Sequence, residues 1–320
     1  MAEKVLVAMS GGVDSSVAAY LLQQQGYACI GVTMRLYENE TAGIPRGHTC
    51  CSLDDVEDAR AVAYDLGMPY YVLNFTEEFD EKVIRKFVQV YQNGGTPNPC
   101  IDCNRYLKFR HLYDRAALLG CDTIATGHYA RIERENGRYL LKKALDASKG
   151  QSYVLYMLTQ EQLAHTQFPL GTLHKAETRQ LADSLGFFNA RKPDSQDICF
   201  VPDGDYAAFI RRHTGKADTP GDFVDESGRI LGRHKGIAHY TIGQRKGLGI
   251  PSNRLLYVKA IDPKSNQVVL SENDALFSQQ LTGENFNWIA WEAPPRQFRC
   301  SAKIRYRQTE QSCEVTVEEN

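Results

Sequence analysis

The feature that most constrains this chain is a glycine-rich hexapeptide, Ser10-Gly11-Gly12-Val13-Asp14-Ser15. It follows a short apolar run, Lys4–Ser10, and precedes Val17, Ala18, Leu21 and Leu22, which recur at helical spacing until Gly26 stops them. Two glycines let the backbone turn tightly from strand to helix and approach a ligand closely. The N–H groups of the loop and of the helix start then face one point, an anion site suited to a pyrophosphate. Ser10 and Ser15 add hydroxyl donors. Asp14 is a poor phosphate ligand, so its expected role is to hold Mg²⁺ or to orient the loop. The plainer reading is a strand–helix turn capped by Asp14 or Ser15. The loop is neither a Walker A motif nor a dinucleotide fingerprint, because the Lys and the third Gly are missing.

The alternation begun there continues. Ala28–Leu36, Pro69–Phe75 and Cys121–His128 read as strands. Leu53–Leu66, Glu77–Tyr91 and Asn104–Leu119 read as helices. Such alternation predicts an α/β fold with a doubly wound parallel sheet. Beyond Gly150 the pattern changes to helices at Thr159–His165, His174–Leu185 and Asp203–His213, then to short alternating runs. Leu256–Ile261 and Gln267–Ser271 flank a turn and read as a hairpin. Phe298–Arg307 alternates strictly, with Arg299, Lys303, Arg305 and Arg307 on one face and Tyr306 on the other. The expected division is residues 1–202 for the doubly wound domain that carries the glycine loop, 203–268 for a small central domain and 269–320 for a C-terminal β-barrel, incomplete at its end.

A chain of 320 residues accommodates two or three domains. No apolar run approaches the ~18 residues of a membrane span, and the N-terminal apolar stretch is too short for a signal-peptide core, so the expectation is a cytoplasmic protein without a membrane partner. The net charge of −2 announces no nucleic acid, so any RNA contact must come from local basic faces.

Nine cysteines do not tile the chain like a disulfide framework. Cys29, Cys121, Cys300 and Cys313 sit in apolar or alternating contexts and read as small buried hydrophobes. Cys103 differs. Its segment, Thr96-Pro97-Asn98-Pro99-Cys100-Ile101-Asp102-Cys103-Asn104, is a proline-punctuated loop entering a helix, where the helix end and the nearby Arg105 and Lys108 favour a thiolate. Cys199 ends a polar loop, Lys192–Phe200. Cys50-Cys51, with His48 nearby, reads as an active-site loop without metal.

These segments, with Ala125–Tyr129, Gln151-Ser152-Tyr153, Tyr240–Ile250 and Arg305-Tyr306-Arg307-Gln308, occur in one order across nearly the whole chain. The hexapeptide resembles the PP-loop of ATP pyrophosphatases. The set as a whole resembles the bacterial tRNA-specific 2-thiouridylases, which make 2-thiouridine at the wobble position of tRNA.

The resemblance implies a chemistry. ATP adenylates O2 of the uridine, and sulfur from a persulfide on Cys199 replaces it with Cys103 as nucleophile, leaving a Cys103–Cys199 disulfide to be reduced. It implies ATP contacts at Ala8, Met9, Ser10, Gly11, Gly12, Val13, Asp14, Ser15, Met34 and Gly127. Asn98, Pro99 and Cys100 would surround the flipped-out base. His128, Lys149, Gly150, Gln151, Arg305 and Tyr306 would touch RNA. It further implies tRNAs for Lys, Glu and Gln, Mg²⁺, and a sulfur donor such as a cysteine desulfurase or a sulfur-relay protein. Many members carry a carboxylate where this chain has Cys100. The resulting Cys-x-x-Cys pair, with Cys199, opens an alternative in which three thiolates hold a [4Fe–4S] cluster. Two further alternatives are a PP-loop ligase acting on a small molecule, which needs neither Cys103 nor Cys199, and a non-catalytic RNA-binding or sulfur-carrier module, which needs no PP-loop.

Overall fold

The computed structural model describes residues 2–37, 53–194, 198–306 and 308–318. A five-stranded sheet runs in the order β3-β2-β1-β4-β7. Its strands are β1 (Lys4–Ala8), β2 (Ala28–Arg35), β3 (Tyr70–Asn74), β4 (Thr123–Thr126) and β7 (Thr166–Gln167). Every pairing in it is parallel. Alternation along β1 sends Leu6 to one apolar cluster and Val5 and Val7 to another, so both faces are covered, as a parallel sheet requires. The order reverses between β1 and β4. Ligand crevices of such sheets open at that point, beyond the carboxyl ends of the strands.

The helices follow the sequence closely in most places. Val13–Gln24, Leu53–Asp65 and Lys175–Ser184 match expectation within a residue or two. A helix over residues 76–92 contains a π-type stretch at Asp80–Ile84. The helix carrying Cys103 starts earlier than expected. Its first turn is Pro99–Asp102, with Pro99 in the first position and the Asn98 side chain accepting from Cys100 N at 3.2 Å. Proline is tolerated there because that N–H has no helical partner. Cys103 then opens a nine-residue π-type stretch, Cys103–His111.

The hairpin β5 (Ala130–Glu135) and β6 (Arg138–Lys143) was not expected, although Asn136-Gly137, both at positive φ, is a strong turn signal. Residues after Phe200 do not leave the first core at once. Phe209 and Ile210, on the helix Tyr206–Thr214, pack in the same cluster as Phe87 and Phe200.

The central sheet has the order β10-β11-β8-β9, from β8 (Gly221–Val224), β9 (Ile230–His234), β10 (Tyr257–Asp262) and β11 (Gln267–Ser271). The expected hairpin is β10–β11. Strand β11 crosses the expected division at residue 268 and belongs wholly to the central sheet through β10 and β8. The C-terminal part contributes β12 (Gln297–Ala302) paired with β13 (Gln311–Thr316). The strand expected over Phe298–Arg307 therefore ends at Ala302, and Arg305 and Tyr306 lie in the connection rather than on opposite faces of a strand. The continuous basic face is also revised: Arg299 faces Glu314 at 3.8 Å, and Lys303 stands over Tyr153 and Tyr306. Arg307 lies outside the described residues.

Candidate active site at the ends of the parallel strands

The glycine loop lies at the carboxyl end of β1, directly before the helix Val13–Gln24. Gly11 has φ +72°, and a Cβ there would stand 2.4 Å from the Asp55 carbonyl oxygen. Only glycine meets both conditions. Across the crevice, a Cβ on Gly127, just past β4, would stand 2.8 Å from Ser15 N. Ser15 Oγ accepts from Ser10 N at 3.1 Å and donates to Gly12 O at 3.0 Å, which closes the loop on itself. Its floor is fixed from outside by Asn189, whose amide donates to Gly11 O at 3.1 Å and to Ser16 Oγ at 2.9 Å.

Asp14 is held by protein. Lys175 Nζ reaches both of its carboxylate oxygens at 2.7 Å, and Tyr129 OH donates to it at 2.9 Å. Of the two roles expected for Asp14, loop orientation is the one this geometry supports; Mg²⁺ at this carboxylate would have to displace Lys175. Lys175 also reaches Asp194 at 2.8 Å. Asp194 is met by Lys149 at 2.8 Å and by Arg179 at 2.7 Å. Burial works against its charge, but hydrogen bonds from Lys149 and Lys175 and their charges prevail and hold its carboxyl down at about 2. Lys192 Nζ ties the same segment to Asp55 at 2.6 Å and Asp58 at 2.5 Å. Lys175, Arg179, Asn189 and Lys192 were missed from sequence. One signal was present: Lys175 is the first residue of its helix, where a cation opposes the helix dipole unless anions face it.

One apolar cluster contains Met34, Tyr37 and Cys103, with Cys199 packed at its edge. Tyr37 OH donates to the Cys199 carbonyl at 2.7 Å. Cys103 is 8% exposed and lies one turn into its helix. The positive end of that helix is therefore at the exposed Cys100, and the expected helix-end effect on Cys103 is weaker than the sequence suggested, since it fades within a turn. Among the described residues, no three His, Cys, Asp or Glu side chains converge to hold a metal. Cys100, Cys103 and Cys199 do not form such a group among the described residues. Cys50, Cys51 and His48 lie outside the described residues.

The other cysteines separate clearly. Burial, then the neighbouring Cys121, pushes Cys29 up to about 11, and burial raises Cys121 too, so both remain protonated hydrophobes. Cys300 and Cys313 correct the expectation: they are half-buried and face each other across β12–β13 with Sγ atoms 3.5 Å apart.

The expected RNA contacts divide. His128 is only 7% exposed, its Nδ1 is 2.7 Å from Thr126 Oγ1, and its ring packs on Phe109 and Phe168. Burial, then Lys108, holds its imidazole well below the ordinary value. It is a neutral core ring, not a surface contact. Gln151 is occupied with Tyr129, accepting from its N–H at 2.8 Å, and half-buried Gly150 precedes it. Lys149 is committed to Asp194 but partly exposed. Arg305 and Tyr306 are exposed. Tyr153 joins their turn to the catalytic domain by donating to Ile304 O at 2.9 Å and packing on Tyr306. Gly243 of the central domain lies against Arg305, so all three parts meet here.

Comparison with known proteins agrees with this anatomy. Family models described as the tRNA methyl transferase HUP domain, the tRNA methyl transferase PRC-barrel domain and the aminomethyltransferase β-barrel domain match residues 3–203, 207–272 and 278–320. The tRNA-specific 2-thiouridylase MnmA of Clostridioides difficile is 52% identical over 308 residues, 96% of this chain and 85% of that protein. The enzyme of that name from Lachnoclostridium phytofermentans is 51% identical over 315 residues, 98% of this chain and 88% of that protein. The chain belongs to the tRNA-specific 2-thiouridylase family.

Proposed function

We propose that this chain, a tRNA-uridine 2-sulfurtransferase by family, converts the wobble uridine of tRNA to 2-thiouridine through an adenylated base and a cysteine persulfide. The observation that carries the reading is the placement of Met34 and Cys103 in one apolar cluster, with Cys199 and Ala8, the last residue of β1 before the glycine loop, packed against it. ATP phosphates take the N–H groups of the loop after Ser10, Gly11–Ser15, with the Ser10 hydroxyl beside them, Ala8 and Met9 leading into the loop and Met34 and Gly127 bordering the adenosine. Lys175 is the protein's own cation beside the loop, and Mg²⁺ arriving with the triphosphate would supply further charge neutralisation there.

The chemistry needs both ligands. Oxide cannot leave C2 of uridine, so O2 attacks the α-phosphorus and diphosphate departs. The terminal persulfide sulfur on Cys199 attacks C2, and AMP leaves with the former O2. The Cys103 thiolate attacks the inner sulfur of Cys199, the S–S bond breaks, and sulfur stays on the base. A Cys103–Cys199 disulfide remains, and an external thiol reduces it. Cys103 sits in a low-exposure site where water competes poorly. Asn98, Pro99 and the exposed Cys100 form the rim that meets the flipped-out base. Lys149, Arg305 and Tyr306 meet RNA beyond it, in tRNAs for Lys, Glu and Gln, and a cysteine desulfurase or sulfur-relay protein in the cytoplasm loads Cys199.

The test is direct. The protein is incubated with ATP, a persulfide donor and unmodified tRNA, and nucleosides are analysed. 2-Thiouridine at the wobble position, lost in Cys103→Ser and Cys199→Ser, is the expected result. Its absence with the unmutated chain overturns the proposal, and AMP-forming chemistry that survives both substitutions with product intact favours a ligase.

A further inference from the structure

Charge is spread unevenly along the chain. Residues 207–272 carry eleven Lys and Arg against six Asp and Glu, a net of +5 in a chain whose total is −2. Carboxylates of this central domain are taken by other cations: Asp222 by Arg233, Glu226 by Lys259 and Glu272 by Arg254. Arg245 and Lys246 differ. Both are exposed, and neither has an ion-pair partner among the described residues. The loop that bears them is fastened on both sides. Before them, Gly243 N–H donates to Val258 O at 2.7 Å and Val258 N–H donates to Gln244 O at 2.9 Å, which ties the loop to β10. The Gln244 side chain accepts from Thr241 N at 3.0 Å and donates to Lys246 O at 3.0 Å. After them, Leu248 is buried in the central core with Phe223 and Val258. Gly243 and Gly247, at φ +87° and +79°, make the turns that side chains would strain. Arg245, Arg254, Leu248 and Leu255 line an open cleft of about 290 Å³, and Leu255 is 63% exposed there. The same loop meets the C-terminal part: a Cβ on Gly243 would stand 3.1 Å from Arg305 Nη1.

We propose that this cleft of the central domain is a further tRNA-binding site, where Arg245 and Lys246 hold backbone phosphates and Leu248 and Leu255 offer an apolar floor to the sugar or base beside them. The inference rests on the reading that tRNA is the substrate. Cations without carboxylate partners have no internal pair to break when they meet a phosphate. A loop fastened at both ends holds them presented, so less ordering is lost on binding. Because Gly243 lies against Arg305, an RNA strand that meets Arg305 runs on to Arg245 across a continuous surface. An acidic protein surface is the rival occupant, and the apolar floor and the continuity with Arg305 favour RNA over it. Phosphate contacts carry no sequence information, so the site sets affinity and register rather than the choice of tRNA.

The experiment measures tRNA binding by the full chain over a series of salt concentrations, for wild type, Arg245→Gln, Lys246→Gln, both together, Arg245→Lys and Lys264→Gln. Lys264 is an exposed cation in the β10–β11 turn of the same domain and does not line the cleft, so it controls for net charge. Arg245→Gln and Lys246→Gln should each weaken binding several-fold and lower the slope of log K against log salt by about 1, and the pair by about 2. Arg245→Lys keeps the charge and should keep the wild-type slope, as should Lys264→Gln. The substituted side chains are exposed, and an unchanged Tm shows that the fold persists. A wild-type slope in both single Gln variants, or an equal fall in Lys264→Gln, overturns the inference. Unchanged tRNA binding beside slower persulfide loading from a donor protein overturns it too and assigns the cleft to an acidic protein surface. Failure of the wild type itself to bind tRNA overturns the reading beneath it, whereas wild-type binding matched by the Gln variants overturns only the new site.

Discussion

Two regions of the molecule handle charge in opposite ways. Beside the glycine loop, anions and cations are matched and partly withdrawn from solvent: Lys175 is 8% exposed between half-buried Asp14 and Asp194, and half-buried Lys192 joins Asp55, itself 6% exposed, to Asp58. In the connection after β12, Arg305 is exposed and has no ion-pair partner among the described residues, and Lys303 stands over the faces of Tyr153 and Tyr306 and donates to Tyr306 O at 3.4 Å. The first arrangement fixes geometry, as the proposed attack on phosphorus and sulfur transfer to one carbon would demand. The second keeps cations and aromatic faces available, as a surface that meets phosphates and bases must. On the proposed function, rigidity falls where bonds would change, and availability where a large polyanion would dock.

The sharpest way to break this contrast is Lys175→Met. It leaves two carboxylates facing each other without their shared cation, at a site where removing one member of a buried pair costs about 3 kcal/mol. Chemical denaturation should show that loss, together with much weaker ATP binding. A variant as stable as wild type would mean that the network is solvated and does not fix the loop.

The next effect is a pH dependence confined to the buried side. His128 is neutral in the fold because burial and Lys108 depress its pKa, whereas the unfolded chain binds a proton near 6.5. A group depressed on folding contributes fully above its unfolded pKa and loses that contribution as pH falls. Stability should therefore drop below pH 6.5 by up to about 1.4 kcal/mol per unit from this group. His128→Phe, which suits the Phe109 and Phe168 contacts, should flatten that part of the curve. An unchanged slope would return His128 to the surface, where an RNA contact needs it.

These two residues also show what was legible in the sequence. The glycine loop was readable because turn geometry and spacing act within a few residues, and the alternation that predicted the parallel sheet is a local pattern repeated. The start of the Cys103 helix was misplaced because Asn98-Pro99 reads equally as a loop and as a cap with its first-position proline. The π-type stretches have no periodic signature of their own. Lys175 was invisible in its role because its partners, Asp14 and Asp194, are distant in sequence and meet only once β1 and the helix Lys175–Ser184 have packed. His128 was expected at RNA only because the resemblance implied it; the burial is not local, since Phe109 and Phe168 from distant segments pack on its ring while Thr126, two residues away, meets its Nδ1.

The smallest effect on stability is expected at the open end, and that makes it the most discriminating. Arg305→Ala removes an exposed cation whose guanidinium lies against Gly243 and pairs with no carboxylate among the described residues. Its cost to folding should stay within about 0.5 kcal/mol, as for surface changes away from caps and pairs. If the turn meets tRNA phosphate, the same change should weaken tRNA binding several-fold and reduce the slope of log K against log salt by about 1. AMP formation at saturating tRNA should be untouched, because Arg305 reaches neither the glycine loop nor Cys103. Tyr306→Ala should behave differently. It removes the ring that Lys303 and Tyr153 share, so it should weaken tRNA binding with little change in salt slope. Equal salt slopes for wild type and Arg305→Ala would mean that the exposed cation meets no phosphate, and that the open region serves to join the three parts of the chain rather than to hold RNA.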